Sequence, residues 1–136
     1  MTPPLPVHRR RAHDAQIVVT GVTPAEVMRG AFLRAELDAV RSVRFSELAP
    51  AAIRRELGDA DMLIFAAEAT ESADAERVTA IASVAREDGL LVAAVLAGGT
   101  ELSGASPLLA TLRDAADMVV LVKTRDAVRG VIEALR

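Results

Sequence analysis

Short apolar runs alternate with longer amphipathic stretches along the chain from residue 15 onward. One run followed by one amphipathic stretch occurs five times. Two of the runs, MLIFAA and LLVAAVLA, are apolar at every position, as strands covered on both faces must be. This alternation is typical of βα units, and it predicts one α/β domain over residues 15–136 with a largely parallel sheet.

Start and stop signals set the predicted helix boundaries. Thr23 and Glu26 form a capping box, with Pro24 at the first helical position. Further helix starts are predicted at Pro50, Ser106 and Thr124, and stops at Gly58 and Gly89. The helix positions predicted to face the sheet are Met28, Phe32, Ala35, Ile53, Leu57, Val78, Ile81, Ala82, Ala85, Leu109, Leu112, Ala116, Val128, Ile132 and Leu135.

The second apolar run predicts how the sheet is ordered. In VRSVRF, Val43 and Phe45 alternate with polar residues, so one face is expected to be wet and the strand to lie at an edge. Right-handed crossovers then favour a three-layer α/β/α sandwich, a five-stranded Rossmann-like sheet in the order 2-1-3-4-5. In such a sheet, ligands bind beyond the carboxyl ends of the strands, at the switch point between the first and third strands.

Charge and composition exclude several classes of function. The net charge is −3, and residues 1–14, a predicted disordered basic and proline-rich leader, hold three arginines and one aspartate. The leader therefore carries +2 and the rest −5, which argues against nucleic acid as a partner. Cysteine is absent and both histidines lie in the leader, which argues against thiolate, zinc and histidine chemistry. No apolar run approaches the ~20 residues that span a bilayer, so no membrane span and a cytoplasmic location are predicted.

Glycine, which lets the backbone approach a phosphate closely, is scarce in the predicted loops. The loop after the first strand contains only Gly21, with Thr23 beside it, and the loop after the third strand contains none. The loop at residues 97–104 is a weak nucleotide-binding candidate, and its glycines are also typical of a flexible turn. Its candidate residues are Gly98, Gly99, Thr100, Ser103 and Gly104.

The loop after the third strand is acidic instead. Glu68, Glu71 and Asp74 offer hard oxygen ligands for a metal ion. Asp74 and Glu76 also fall in the first turn of a predicted helix, where carboxylates interact favourably with the positive end of the helix dipole. The sequence favours this structural role, so neither a metal nor a cofactor is expected.

Two charged residues at strand ends resemble the receiver domain of response regulators. Glu68 ends the third strand, where that family keeps its phosphoacceptor, and Lys123, the single lysine, follows the fifth strand, where the family has a conserved lysine. The turn TGVTP after the first strand lacks the paired acids that bind magnesium in the family. The resemblance implies a pseudo-receiver signalling domain that is not phosphorylated.

As an ordered series of segments, residues 16–126 resemble the GTP-binding domain of the bacterial tubulin-like division protein FtsZ. IRRELGDADMLIFAAE is similar to the helix and strand before that family's glycine-rich signature, and VTAIASVAREDGLLVAAVL to the helix and strand after it. LLATLRDAADMVVLVKTRD is similar to the helix and strand that lead to the family's base-binding loop.

The functional motifs of the FtsZ family are largely replaced. EATESADA stands at the glycine-rich signature, with Thr70 as the similar residue, and Asp126 in KTRD is a partial match to the base-binding loop. The resemblance implies a truncated relative without GTP hydrolysis and without GTP or GDP binding. Such a module would regulate cell division or filament assembly through protein contacts, with FtsZ or a second copy of itself as the partner. A small nucleotide-binding protein using residues 97–104 is the third hypothesis.

Overall fold

A parallel five-stranded sheet with helices on both faces forms the core of the protein. The computed structural model describes residues 15–23, 39–69, 72–98 and 106–135. Their elements are β1 (Ile17–Thr20), β2 (Val40–Ser42), α1 (Pro50–Leu57), β3 (Met62–Glu68), α2 (Ala75–Glu87), β4 (Leu91–Ala97), α3 (Pro107–Ala115), β5 (Met118–Val122) and α4 (Arg125–Leu135). All strand pairs are parallel, in the order β2-β1-β3-β4-β5, so the predicted fold class and strand order are confirmed.

Two apolar clusters lie on opposite faces of the sheet. One joins alternate strand residues, such as Leu63 and Phe65, to the inner faces of α1, α2 and α3. The other joins the intervening residues, such as Ile64 and Ala66, to Val128 of α4 and its neighbours. Because successive side chains of a strand point to opposite faces, β3 and β4 must be apolar at nearly every position.

The helix positions predicted to face the sheet are largely buried. Those confirmed as buried are Ile53, Leu57, Val78, Ile81, Ala82, Ala85, Leu109, Leu112, Ala116, Val128 and Ile132. Leu135 is half-buried, beside the second cluster. The positions predicted on the first helix (Met28, Phe32, Ala35), the residues Pro24 and Glu26 of its capping box, and the leader 1–14 lie outside the described residues.

The second strand is shorter than its alternating pattern suggests. It lies at the edge, as predicted, but ends at Ser42, although the N–H of Val43 still donates to the carbonyl of Val19 at 2.9 Å. Phe45 is nevertheless fully buried in the first cluster. Alternation therefore marks which residues face inward, but it does not distinguish a strand from an irregular segment that turns its apolar residues to the core.

The tripeptide Ala-Asp-Met occurs twice, and each copy joins two neighbouring strands at the amino edge of the sheet, where the strands begin. The N–H of Asp61 donates to the carbonyl of Gln16 at 2.8 Å, and its carboxylate accepts the N–H of Gln16 at 2.8 Å. Asp117 does the same with Val92, donating at 2.7 Å and accepting at 2.9 Å. Each aspartate thus binds the N–H and the carbonyl of one residue on the neighbouring chain segment, Gln16 or Val92. These bonds fix the register of β3 on β1 and of β5 on β4.

No helix within the described parts of the chain is both long and apolar enough to cross a bilayer.

Replacing Leu96 by alanine is expected to lower the free energy of unfolding by about 2–5 kcal/mol, because a fully buried side chain is removed from the sheet interior. Leu91→Ala is the matched control on the same strand. Its side chain is 39% exposed, so a loss of only about 0.5–1 kcal/mol is expected. Urea unfolding followed by circular dichroism measures both. Equal losses for the two variants would contradict the burial of β4.

Candidate functional site

The candidate residues lie along the carboxyl edge of the sheet. Glu68, half-buried, ends β3, and it is aligned with Ala97 of β4, which is aligned with Val122 of β5. Lys123 follows Val122 and is exposed. The backbones of Glu68 and Lys123 are thus separated by two strand spacings, roughly 10 Å. Asp126 is exposed in the first turn of α4, where its charge suits the helix dipole.

The end of β1 is buried and hydrogen-bonded to the residue that begins α2. Thr20, Gly21 and Val22 are all buried, and Thr23 is half-buried. The carbonyl of Val22 accepts the N–H of Asp74 at 2.9 Å. The switch point between β1 and β3, where ligands bind in doubly wound proteins, is therefore bridged by the protein's own backbone.

Two helix N-termini at this edge are capped by side chains of the chain itself. The carboxylate of Asp74 accepts the N–H of Arg77 at 3.2 Å at the start of α2. The hydroxyl of Ser106 accepts the N–H of Leu109 at 3.2 Å at the start of α3. Such N–H groups are the ones that bind phosphate in nucleotide-binding folds. Asp74 thus has the structural role that the sequence favours.

Two other acidic residues are metal candidates. Glu68 is half-buried at the end of β3, and Glu71 lies outside the described residues. Within the described part of the chain, no three carboxylate or histidine side chains are close enough together to hold a metal ion.

Gly98 makes a turn at the end of β4. Its φ is 79°, a conformation that side chains disfavour, and its N–H donates to the carbonyl of Val122 at 2.7 Å. The neighbouring N–H of Ala69 donates to the carbonyl of Ala97 at 2.9 Å. Both N–H groups are therefore used within the protein. The remaining candidates of this loop, Gly99, Thr100, Ser103 and Gly104, lie outside the described residues.

A pocket of about 210 Å³ lies between the loop after β3 and the start of α3. Its described lining is Ala69, Ser72, Ala73, Ser106, Pro107, Leu108 and Thr111. These residues offer hydroxyls but no charge, and the hydroxyl of Ser106 already caps α3. The described lining therefore offers no cation to hold a phosphate.

A second pocket, of about 380 Å³, lies between α2 and α3. Arg86 in its wall is paired with Asp117 at 2.9 Å, at the amino edge of the sheet. None of the predicted ligand residues that the structure describes lines this pocket. It is therefore separate from the candidate site.

Two buried polar side chains near the end of β1 have no counterpart among the residues predicted from the sequence. Arg77 is 5% exposed and Thr20 is 2% exposed. The Nε and Nη2 atoms of Arg77 and the hydroxyl of Thr20 have no hydrogen-bond partner among the residues described. Both lie close in sequence to the Val22–Asp74 hydrogen bond. Arg77 precedes the buried Ile81 by one helical turn, and that spacing is the signal that could have placed it on the inner side of α2.

No protein-family model and no curated protein sequence matches the chain. Among solved structures, it is similar to a protein of Burkholderia pseudomallei K96243 that is provisionally described as pilus assembly-related. The two share 18% sequence identity with a TM-score of 0.53, over 93% of this chain and 94% of that chain. At this identity the likeness extends to the fold alone.

Replacing Arg77 by methionine is expected to leave the free energy of unfolding unchanged or to raise it by about 1 kcal/mol. The reason is that a buried guanidinium with two unpaired nitrogens is exchanged for an apolar chain of similar length. Urea unfolding measures the change.

Arg86→Met is the matched control for this substitution. Arg86 is exposed and ion-paired, so its loss is expected to lower the free energy of unfolding by about 0–1 kcal/mol. A loss of several kcal/mol for Arg77→Met would contradict the prediction, because it would mean that the guanidinium has a strong partner.

Proposed function

We propose that this chain is a non-catalytic protein-interaction domain, in which the carboxyl edge of a doubly wound sheet does not serve nucleotide or phosphate chemistry. One observation carries the proposal, the hydrogen bond between the carbonyl of Val22 and the N–H of Asp74. It bridges the switch point where a ligand of this fold class would enter. The domain then acts through its surface.

The capped helices at the same edge support the proposal. A phosphate is bound by N–H groups at a helix N-terminus together with the positive end of the helix dipole. At α2 that place is taken by the carboxylate of Asp74, which would also repel an anion. At α3 it is taken by the hydroxyl of Ser106. A phosphate at either helix start would have to displace the side chain that caps it.

The positions of Glu68 and Lys123 favour a receiver-like form of this function. The strand order is that of receiver domains and flavodoxins. Glu68 ends β3 and Lys123 follows β5, as the resemblance to receivers requires. The buried residues Thr20, Gly21 and Val22 at the end of β1 include no acid to hold magnesium. A receiver-like domain with these residues would signal through protein contacts without being phosphorylated.

The FtsZ-like form of the proposal depends on the order of the sequence segments. It leads to the same expectation for the site, since the acidic loop after β3 stands where that family binds nucleotide. The two forms differ in the partner. The FtsZ-like form predicts binding to FtsZ or to a second copy of the chain, and the receiver-like form predicts a signalling partner.

The chain is expected to show no binding of GTP or GDP in the presence of magnesium, because the N–H groups of Asp74 and Arg77 at the switch point are already used. Isothermal titration calorimetry of the folded protein measures this directly. Asp74→Ala is the informative comparison, since it uncaps α2 and removes one negative charge, at an expected cost of about 1 kcal/mol in stability. Micromolar affinity of the unaltered chain for either nucleotide would overturn the proposal.

Co-sedimentation with filaments of the division protein from the same organism separates the two forms. The FtsZ-like form predicts that the chain pellets with the filaments in proportion to their amount. The receiver-like form predicts that it stays in the supernatant. The chain centrifuged without filaments controls for sedimentation of the chain by itself, and equal pelleting with and without filaments would contradict the FtsZ-like form.

A further inference from the structure

The two outermost strands of the sheet, β2 and β5, differ in ways that affect pairing with another chain. β2 is three residues long, and its exposed Arg41 donates to the carbonyl of Leu57 at 3.1 Å. β5 is five residues long, MVVLV, with no charge and no proline, and every residue is partly exposed. A short, charged edge resists pairing with other strands, whereas a longer, uncharged one invites it. Among the described strands, β5 pairs with β4 alone.

The backbone groups at the outer side of β5 belong to Val119 and Leu121. The carbonyl of Val122 accepts the N–H of Gly98, which follows β4, so Val122 points its backbone groups toward β4. Backbone groups of successive strand residues alternate in direction. Val119 and Leu121 therefore direct their N–H and C=O groups away from the sheet, and these groups have no partner within the described residues.

We propose that two copies of this chain pair through β5, antiparallel about a two-fold axis at Val120. Val119 of one copy then lies opposite Leu121 of the other, and the two residues exchange N–H···O bonds in both directions. Val120 faces Val120 of the second copy. The two sheets join into one continuous sheet, and the interface is self-complementary, as a two-fold dimer requires. The proposal names the partner of the interaction domain proposed above and so rests on that function.

Charge complementarity selects this register. Asp117 and Lys123 flank β5, each three residues from Val120. Pairing centred on Val120 places Asp117 of one copy opposite Lys123 of the other at both ends of the strand, and opposite charges across a strand pair are stabilising. A shift of two residues one way sets Asp117 against Leu121 and Lys123 against Ala115. A shift of two residues the other way sets Lys123 against Val119, and only Asp117 then meets an opposite charge, that of Arg125 at the start of α4. No other register that pairs the outward backbone groups matches both charges.

The side chains are compatible with this arrangement. Val119 and Leu121 belong to the first apolar cluster, and Met118 and Val122 to the second. In the proposed register Met118 faces Val122 of the other copy, so each face of the joined sheet continues its own apolar surface. The carboxylate of Asp117 accepts from Val92 and Arg86, and its two oxygens can accept further bonds from Lys123 of the second copy.

A single cysteine tests the register, because the chain has no cysteine of its own. In the proposed dimer the Val120 positions face each other about 4.5 Å apart between Cα atoms, within the range of a disulfide. Val120→Cys is therefore expected to cross-link rapidly under mild oxidation. Val122→Cys is the matched control, similarly exposed on the same face, and its own copy lies about 13 Å away along the strand, so it is expected to remain uncross-linked. Preferential cross-linking of Leu121→Cys or of Val122→Cys would overturn the register.

Light scattering after size-exclusion chromatography tests the dimer itself. The full chain is expected to elute with twice its mass of 14.3 kDa at high concentration. Val120→Lys places two like charges face to face at the axis and is expected to give the monomer mass, while Val120→Thr keeps a β-branched side chain and the dimer. Lys123→Glu is expected to weaken the dimer at least several-fold and Lys123→Arg to retain it. Circular dichroism of each variant confirms that it is folded.

The outcomes separate this proposal from the proposed function. A chain that is monomeric at every concentration, or a folded Val120→Lys variant that still dimerises, overturns the dimer. A monomer that binds no nucleotide and captures a protein partner overturns the dimer and leaves the interaction function standing. A β5 dimer that also binds GTP with micromolar affinity supports the dimer and overturns the non-catalytic function.

Discussion

Burial of the sheet on both faces is the constraint on which the rest of the structure depends. Because helices cover both sides of β3 and β4, these strands can carry only apolar side chains through their length, and polar residues are confined to the strand ends. Within the described residues, the candidates for chemistry therefore lie outside the strand interiors, in loops, at the end of β3 or, for Asp126, in the first turn of α4. The same constraint explains why half of the chain is apolar although it has only three aromatic residues.

The two ends of the sheet are occupied in different ways. At the amino edge, Asp61 and Asp117 bind neighbouring backbone and hold the strands together. At the carboxyl edge, the carboxylate of Asp74 caps α2, and the N–H of Asp74 donates to the carbonyl of Val22. Asp61, Asp74 and Asp117 thus have structural roles at the two ends of the sheet. Among the described strands, β5 is the longer of the two edge strands, and none of these aspartates uses its outer side.

Periodicity predicted the strand order and the inner faces of α1 to α4, because burial repeats every two residues in a strand and every three or four in a helix. It failed where position depends on distant parts of the chain. β2 ends at Ser42 although Phe45 is buried in the core, and Arg77 is buried on the inner side of α2. The pairing of Asp61 with Gln16, 45 residues apart, has no local signal except its repetition at Asp117.

The two Ala-Asp-Met tripeptides fix the register of the strands that they join. In a parallel sheet whose strands are uniformly apolar, sliding one strand by two residues keeps every side chain on its own face, so packing alone distinguishes registers poorly. A carboxylate that must meet one particular N–H makes such sliding costly, because the slipped strand would leave a polar group unsatisfied. Loops at the opposite end can then change in length and sequence while the strands stay aligned. The strands inside the sheet can thus be uniformly apolar, because Asp61 and Asp117 at its amino edge specify how the strands align.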